Sequence, residues 1–151
     1  MPENELRDDY AWLEQTMWDA LDRFPEESAL GISAVLEKSH DQMARIYRCA
    51  RTGTELEDLP VFGGRPVFDP GESLPPILIL GPEDVGRAAE FLAGTSFTAL
   101  WPDAKSEVGW GGWDKDGSEA QAHFRSCHED LTAFFTKTSA SGHAVVKFFS
   151  F

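Results

Sequence analysis

Residues 52–76 read TGTELEDLPVFGGRPVFDPGESLPP, and this stretch limits what the rest of the chain can become. It holds five of the nine prolines and four of the 13 glycines. Proline lacks the N–H that a helix interior or a central strand needs, so neither runs through this segment unbroken. Helix-patterned stretches on either side must pack across a long irregular connection that carries short extended pieces at 61–62 and 66–68. The run ILIL at 77–80 reads as a buried strand or as the approach to the next helix.

Four stretches carry helical spacing. Over 6–24, Leu6, Tyr10, Leu13, Met17, Ala20, Leu21 and Phe24 recur at steps of three and four, and Pro25 ends the helix or follows its end. Asp8, Asp9, Asp19 and Asp22 lie mostly off that stripe, on the solvated face; Trp12 and Trp18 lie off it too. A second helix is expected over 32–51, with Val35, Leu36, Met43, Ile46, Tyr47 and Ala50 on its apolar side and Gly53 as its stop. The third starts at Gly81 as N-cap with Pro82 at N1, and Glu83 and Asp84 sit at the positive end of its dipole. The fourth starts at Ser118, where Gln121 completes a capping box. Ala120, Phe124, Cys127, Leu131, Phe134, Phe135 and Thr138 form its stripe. The ending HAVVKFFSF reads as a β-strand. Helices segregated from few strands point to α+β: a single compact domain of about four helices with a small sheet that includes the C-terminal strand.

A chain of 151 residues, 42% hydrophobic, fits one domain and fills a proper core. The start MPENELRDDY is acidic and lacks the apolar stretch of a secretory leader, and no apolar run reaches a membrane span. A cytoplasmic protein is expected, with Cys49 and Cys127 as reduced, mostly buried thiols and one disulfide between them as the alternative.

The net charge is −13, and residues 1–30 contribute nine acids against two bases. Nucleic acid and anionic membrane are disfavoured partners, because phosphate contacts need Lys and Arg. A basic protein partner would be attracted to the acids, among them Asp8, Asp9, Asp19 and Asp22; the plainer use of such charge is solubility.

Motifs for chemistry are incomplete. DKDGSE, at 114–119, offers oxygens at alternating positions. Its glycine comes after only two acids, and the twelfth position from Asp114 is Arg125, so the calcium-loop pattern fails. His123 and Cys127 share a helix face at i, i+4, while His128 lies about 100° round from Cys127. Two ligands do not make a metal site, and no metal or cofactor is expected. Cys127 or Cys49 could pair with His40, His123 or His143 as a nucleophile, but no local pattern marks such a pair, and no phosphate or dinucleotide loop occurs. Trp101, Trp110 and Trp113 lie close together around a glycine-rich loop. There they either anchor the loop to the core or line a recessed pocket.

Several weak motifs agree in order with one family. ILGPEDVGRAAEFLAGTSF, the FGGRPV turn, and the tail with Leu131, Phe134, Phe135, Gly142, Val145 and Val146 resemble the YfbM-like family, bacterial domains of unknown function with an α+β fold. The resemblance covers about residues 36–151. His40 and Asp41 stand where the family has Trp-His, and the acidic N-terminal helix looks like a local variation. The resemblance implies that Trp113 is architectural, Asp114 helps the last helix start, and Trp110 is the more exposed indole; it implies no reaction. Three functions compete. One is a non-catalytic acidic binding protein, such as an immunity or inhibitor protein for a basic partner. Another is a small-ligand domain or enzyme with a Trp-lined pocket. The third is an accessory domain.

Overall fold

The computed structural model describes residues 1–108 and 117–150, and these build an α+β domain. Among the described residues there are six α-helices: α1 Tyr10–Asp22, α2 Phe24–Ala29, α3 His40–Arg48, α4 Pro82–Gly94, α5 Phe97–Ala104 and α6 Ser118–Ala140. Three short strands accompany them, β1 Arg65–Val67, β2 Ile77–Leu80 and β3 Val145–Lys147. They form one antiparallel sheet in the order β1-β2-β3, with Val67 opposite Ile77 and Leu80 opposite Val145. The C-terminal strand is thus in the sheet, as expected.

The helix count of about four is corrected to six. The 6–24 stripe breaks at Arg23, and Pro25 falls in the first turn of α2, where its missing N–H costs nothing. Helix α5 carries Pro102 inside it, the residue type that argues against a helix in sequence. The helix expected over 32–51 begins only at His40. Glu37 holds a left-handed φ of 50°, which no helix admits, so Ile32 and Val35 are left exposed. Helix α4 starts as expected, with Gly81 as N-cap. Helix α6 starts at Ser118, but Gly117 is its N-cap, at φ 75°, and no side-chain cap bond forms there; the expected Ser118–Gln121 capping box is replaced by this turn.

Period-two alternation splits the sheet between two cores. Leu80 and Val145 face the larger one, built with Tyr47, Val85, Leu92, Phe124 and Phe135, where α4 packs along α6. Ile77 and Ile79 face the other way and meet Leu13 of α1, with Tyr10, Trp12, Val146 and Phe148 around them. The sheet is therefore covered on both faces, and the acidic helix is the cover on one of them. Cys49 and Cys127 are both free thiols, and Cys127 is buried. No helix among the described residues is long and apolar enough to cross a membrane.

Candidate functional site

The acids flagged in the sequence are exposed, and each has a local setting. Asp9 is the N-cap of α1, accepting from the Trp12 N–H at 3.0 Å. Asp8 pairs with Arg65 of β1, and Asp19 accepts from Gln15 at 2.9 Å. Asp22 lies at the exposed C-terminal end of α1. The two bases of this segment are taken up inside the chain. Arg7 sits 5.2 Å above the Trp12 ring, and Arg23 meets Glu27 at 3.3 Å. Arg65 of β1 meets the charge of Asp8, and the remaining acids of the segment face outward in excess over its bases.

Between the N-terminal end of α1 and the β1–β2 connection runs a groove. Its walls include Tyr10, Val67, Phe68 and Leu74, and Asp8, Asp9 and Glu14 stand along one side. The connection is pinned from within. Asp69 accepts from the N–H groups of Gly71 (3.0 Å), Ser73 (3.1 Å) and Leu74 (3.3 Å), and from the Ser73 hydroxyl at 3.0 Å. The Gly71 bond above all holds the Asp69 carboxyl below its ordinary pKa. Tyr10 ties the helix to the loop by donating its hydroxyl to the Pro75 carbonyl at 3.1 Å. Partial burial, and then the charges of Asp69 and Glu14, push the Tyr10 phenol above its ordinary pKa. The charged residues lining the groove are thus carboxylates, with Arg65 paired to one of them.

Trp101 belongs to neither wall. It lies on α5, 7% exposed, stacked on Phe97 at 5.6 Å and tilted against Phe124 at 6.1 Å. Its setting is that of a core anchor. Trp110, Trp113 and Asp114 lie outside the described residues. The sequence-flagged residues are therefore not brought to one place: Asp8 and Asp9 join the groove, Asp19 and Asp22 mark the far part of α1, and Trp101 is in the core.

Three buried polar arrangements complete the picture. His123 Nε2 lies 2.8 Å from Ser39 Oγ and 3.7 Å from Cys127 Sγ. Burial first, then Asp130 and Glu37, pushes the Cys127 thiol up to about 11, so it stays protonated at neutral pH and lacks the thiolate a nucleophile needs. No group of three or more His, Cys, Asp or Glu able to hold a metal occurs among the described residues. Tyr47, fully buried, hydrogen-bonds His128 Nδ1 at 3.1 Å. Burial lowers the His128 pKa, against a hydrogen bond to the Thr95 backbone. Lys147 of β3 sends its ammonium to the Leu59 carbonyl and to that of Gly63 at 2.8 Å, 6.0 Å from the Phe135 ring. Burial pushes its pKa down to about 7, with Asp84 acting the other way.

The last two groups make stability depend on pH with a definite sign. For His128 the unfolded chain binds more protons below about pH 6.5, so stability falls as pH drops through that window. For Lys147 the folded chain is deprotonated from about 7, whereas the unfolded chain holds its proton to about 10.4, so stability rises with pH above 7. The Met1 amine, which burial holds below the ordinary range of a chain terminus, has the same sign. Urea unfolding should therefore show stability climbing from about pH 5.5 to about pH 8.5, by on the order of 1 kcal/mol above neutrality. Lys147→Met should flatten the upper part. A curve flat across neutrality in the wild-type chain would rule out the buried-ammonium account.

The class these features define is an α+β domain whose small antiparallel sheet is covered by helices on both faces, with a carboxylate-lined groove at one end of the covering helix. The chain belongs to the DUF1877 family, a domain of unknown function, whose model matches residues 4–148. The match takes in α1. No curated protein and no solved structure matches the chain.

Proposed function

We propose that this domain is a non-catalytic binding protein that receives a basic protein surface on its N-terminal face. It would act as an immunity or inhibitor protein does, in the cytoplasm of a bacterial cell and within the YfbM-like branch of its family. One observation carries the reading: exposed acids and exposed large apolar side chains coincide in one segment. Five of the seven exposed large hydrophobics of the described residues are Trp18, Leu21, Leu30, Ile32 and Val35. Trp18 and Leu21 fall among Asp8, Asp9, Asp19 and Asp22 on α1, and Leu30, Ile32 and Val35 follow in the next turns of chain. Acids alone serve solubility; acids beside bare indole and leucine surface suit a partner that is cationic and partly apolar. The protonated thiol of Cys127 and the core setting of Trp101 support the non-catalytic side of the reading.

The test is kinetic. A partner caught on the wild-type chain and identified is measured against a variant with Asp8, Asp9, Asp19 and Asp22 all changed to Asn. Asn also caps helices, and the Asp8–Arg65 pair is exposed, so the fold should lose no more than about 1 kcal/mol. Association should slow and its salt dependence flatten, because rim charges act mainly on encounter and are screened beyond ~8 Å at physiological salt. An unchanged rate and salt slope would mean that the acidity serves solubility and that the domain is an accessory one.

A further inference from the structure

We propose that the groove between the N-terminal end of α1 and the β1–β2 connection holds an extended basic segment of the partner, with an arginine side chain laid against Phe68. This rests on the protein-binding reading above and names the chemistry that the groove selects.

Folding accounts for the setting of the groove but not for its surface. Phe68 is 68% exposed and Leu74 49%, on a connection that Asp69 holds rigid from inside. A fixed loop displaying a bare phenyl ring gains nothing from that ring within the chain. The groove has two adjoining parts of about 430 and 420 Å³, which share Phe68, Asp69, Pro70 and Leu74. That is room for a few side chains. Its apolar lining comes from Tyr10, Val67, Phe68 and Leu74. The charged residues that line it are all acids: Asp8, Asp9 and Glu14 from the α1 side, Asp69 and Glu72 from the loop.

An apolar lining with carboxylates beside it excludes several occupants. Phosphate-bearing ligands meet an excess of like charge, because the Arg65 guanidinium beside Asp8 is already paired with it. A purely apolar ligand leaves the carboxylates unused. An amphipathic cation uses both. Arginine suits this better than lysine, because its planar guanidinium stacks on an aromatic face while its edge bonds a carboxylate through two N–H groups. The segment is held by its side chains and does not join the sheet. Pro66 sits in the middle of β1, the edge strand beside the groove, and offers no N–H to an added strand. Because the Asp69 bonds and the Tyr10–Pro75 bond fix both walls beforehand, little ordering is left for binding to impose.

The test titrates isotope-labelled full-length protein with a short peptide alternating arginine and leucine, at about 0.15 M salt, where screening acts beyond ~8 Å. Companion peptides carry citrulline or lysine in place of arginine. The expected result is chemical-shift change concentrated at residues 8–14 and 67–74, weaker binding of the lysine peptide and no binding of the citrulline one. Phe68→Ser should weaken the arginine peptide about tenfold. Phe68 is too exposed for this change to unfold the chain, and the variant's own spectrum verifies that. Shifts spread over all the acids, with Phe68→Ser unchanged, would reduce the groove to general charge attraction and overturn the proposal. Shifts confined to 18–35 would overturn the groove and leave the broader binding reading standing. Failure of the arginine peptide to bind would overturn the groove alone, since the broader reading is decided with the native partner.

Discussion

Leu13→Ala should cost about 2–5 kcal/mol of unfolding free energy and loosen α1 from the sheet. Leu13 is the one buried residue of α1 and has 0% exposure, and it packs with Ile77 and Ile79. Removing its branched end leaves a cavity between helix and sheet that neighbours only partly fill. Because Leu13 is the single fully buried residue of α1, with Tyr10 and Trp12 only partly buried beside it, the loss should appear first as local opening. Amide exchange in α1 should then speed up more than exchange in α6. Urea unfolding with exchange by residue measures both. A loss below about 0.5 kcal/mol, the size of an ordinary surface change, would mean that α1 is held by something other than this contact.

The second large effect belongs to Gly63. A Cβ there would lie 2.5 Å from Leu59 Cα and 3.0 Å from Leu59 N, both backbone atoms that no rotamer change can move. The turn would have to open, at about 2–3 kcal/mol, and the Gly63 carbonyl would shift away from the Lys147 ammonium. Gly94 is the control. Nothing lies within 4 Å of its Cβ position, and it ends α4, so Gly94→Ala should be close to neutral or slightly stabilising. Denaturation midpoints for the two variants decide the matter. Equal midpoints would show that the turn yields freely and that Lys147 does not clasp a fixed target.

The parts of the fold legible in the sequence are those that local chemistry specifies. Pro82 after Gly81 marked the start of α4, and the spacing from Ala120 to Thr138 marked the buried side of α6. The terminal strand showed in its β-branched residues. The illegible parts depend on long-range pairing or on unusual backbone. Glu37 takes a left-handed φ without being glycine, so nothing announced the end of helix between Gly31 and Ser39. Helix α5 is short and carries a proline, and it is held by Phe97 and Trp101 burying against α6 more than by its own propensity.

The candidate site was half legible. Asp8 and Asp9 stood out by charge, but Phe68 and Leu74 lie in the proline- and glycine-rich connection, where no periodicity tells an exposed ring from a packed one. Lys147 did leave a signal. It is a lone cation in HAVVKFFSF, and alternation puts it on the same side as Val145, which faces the larger core.

The double duty of α1 has a consequence for damaged chains. Its inner side closes over Ile77 and Ile79 while its outer side carries the acids, so a partner of the kind proposed, held on the outside, would also keep the sheet shut. A partner present at a hundred times its dissociation constant would add about 2.7 kcal/mol to the folded state. That is comparable with the loss from Leu13→Ala. If the proposed partner binds this face, a chain weakened at this seam should be rescued by it, melting alone at temperatures where the complex persists.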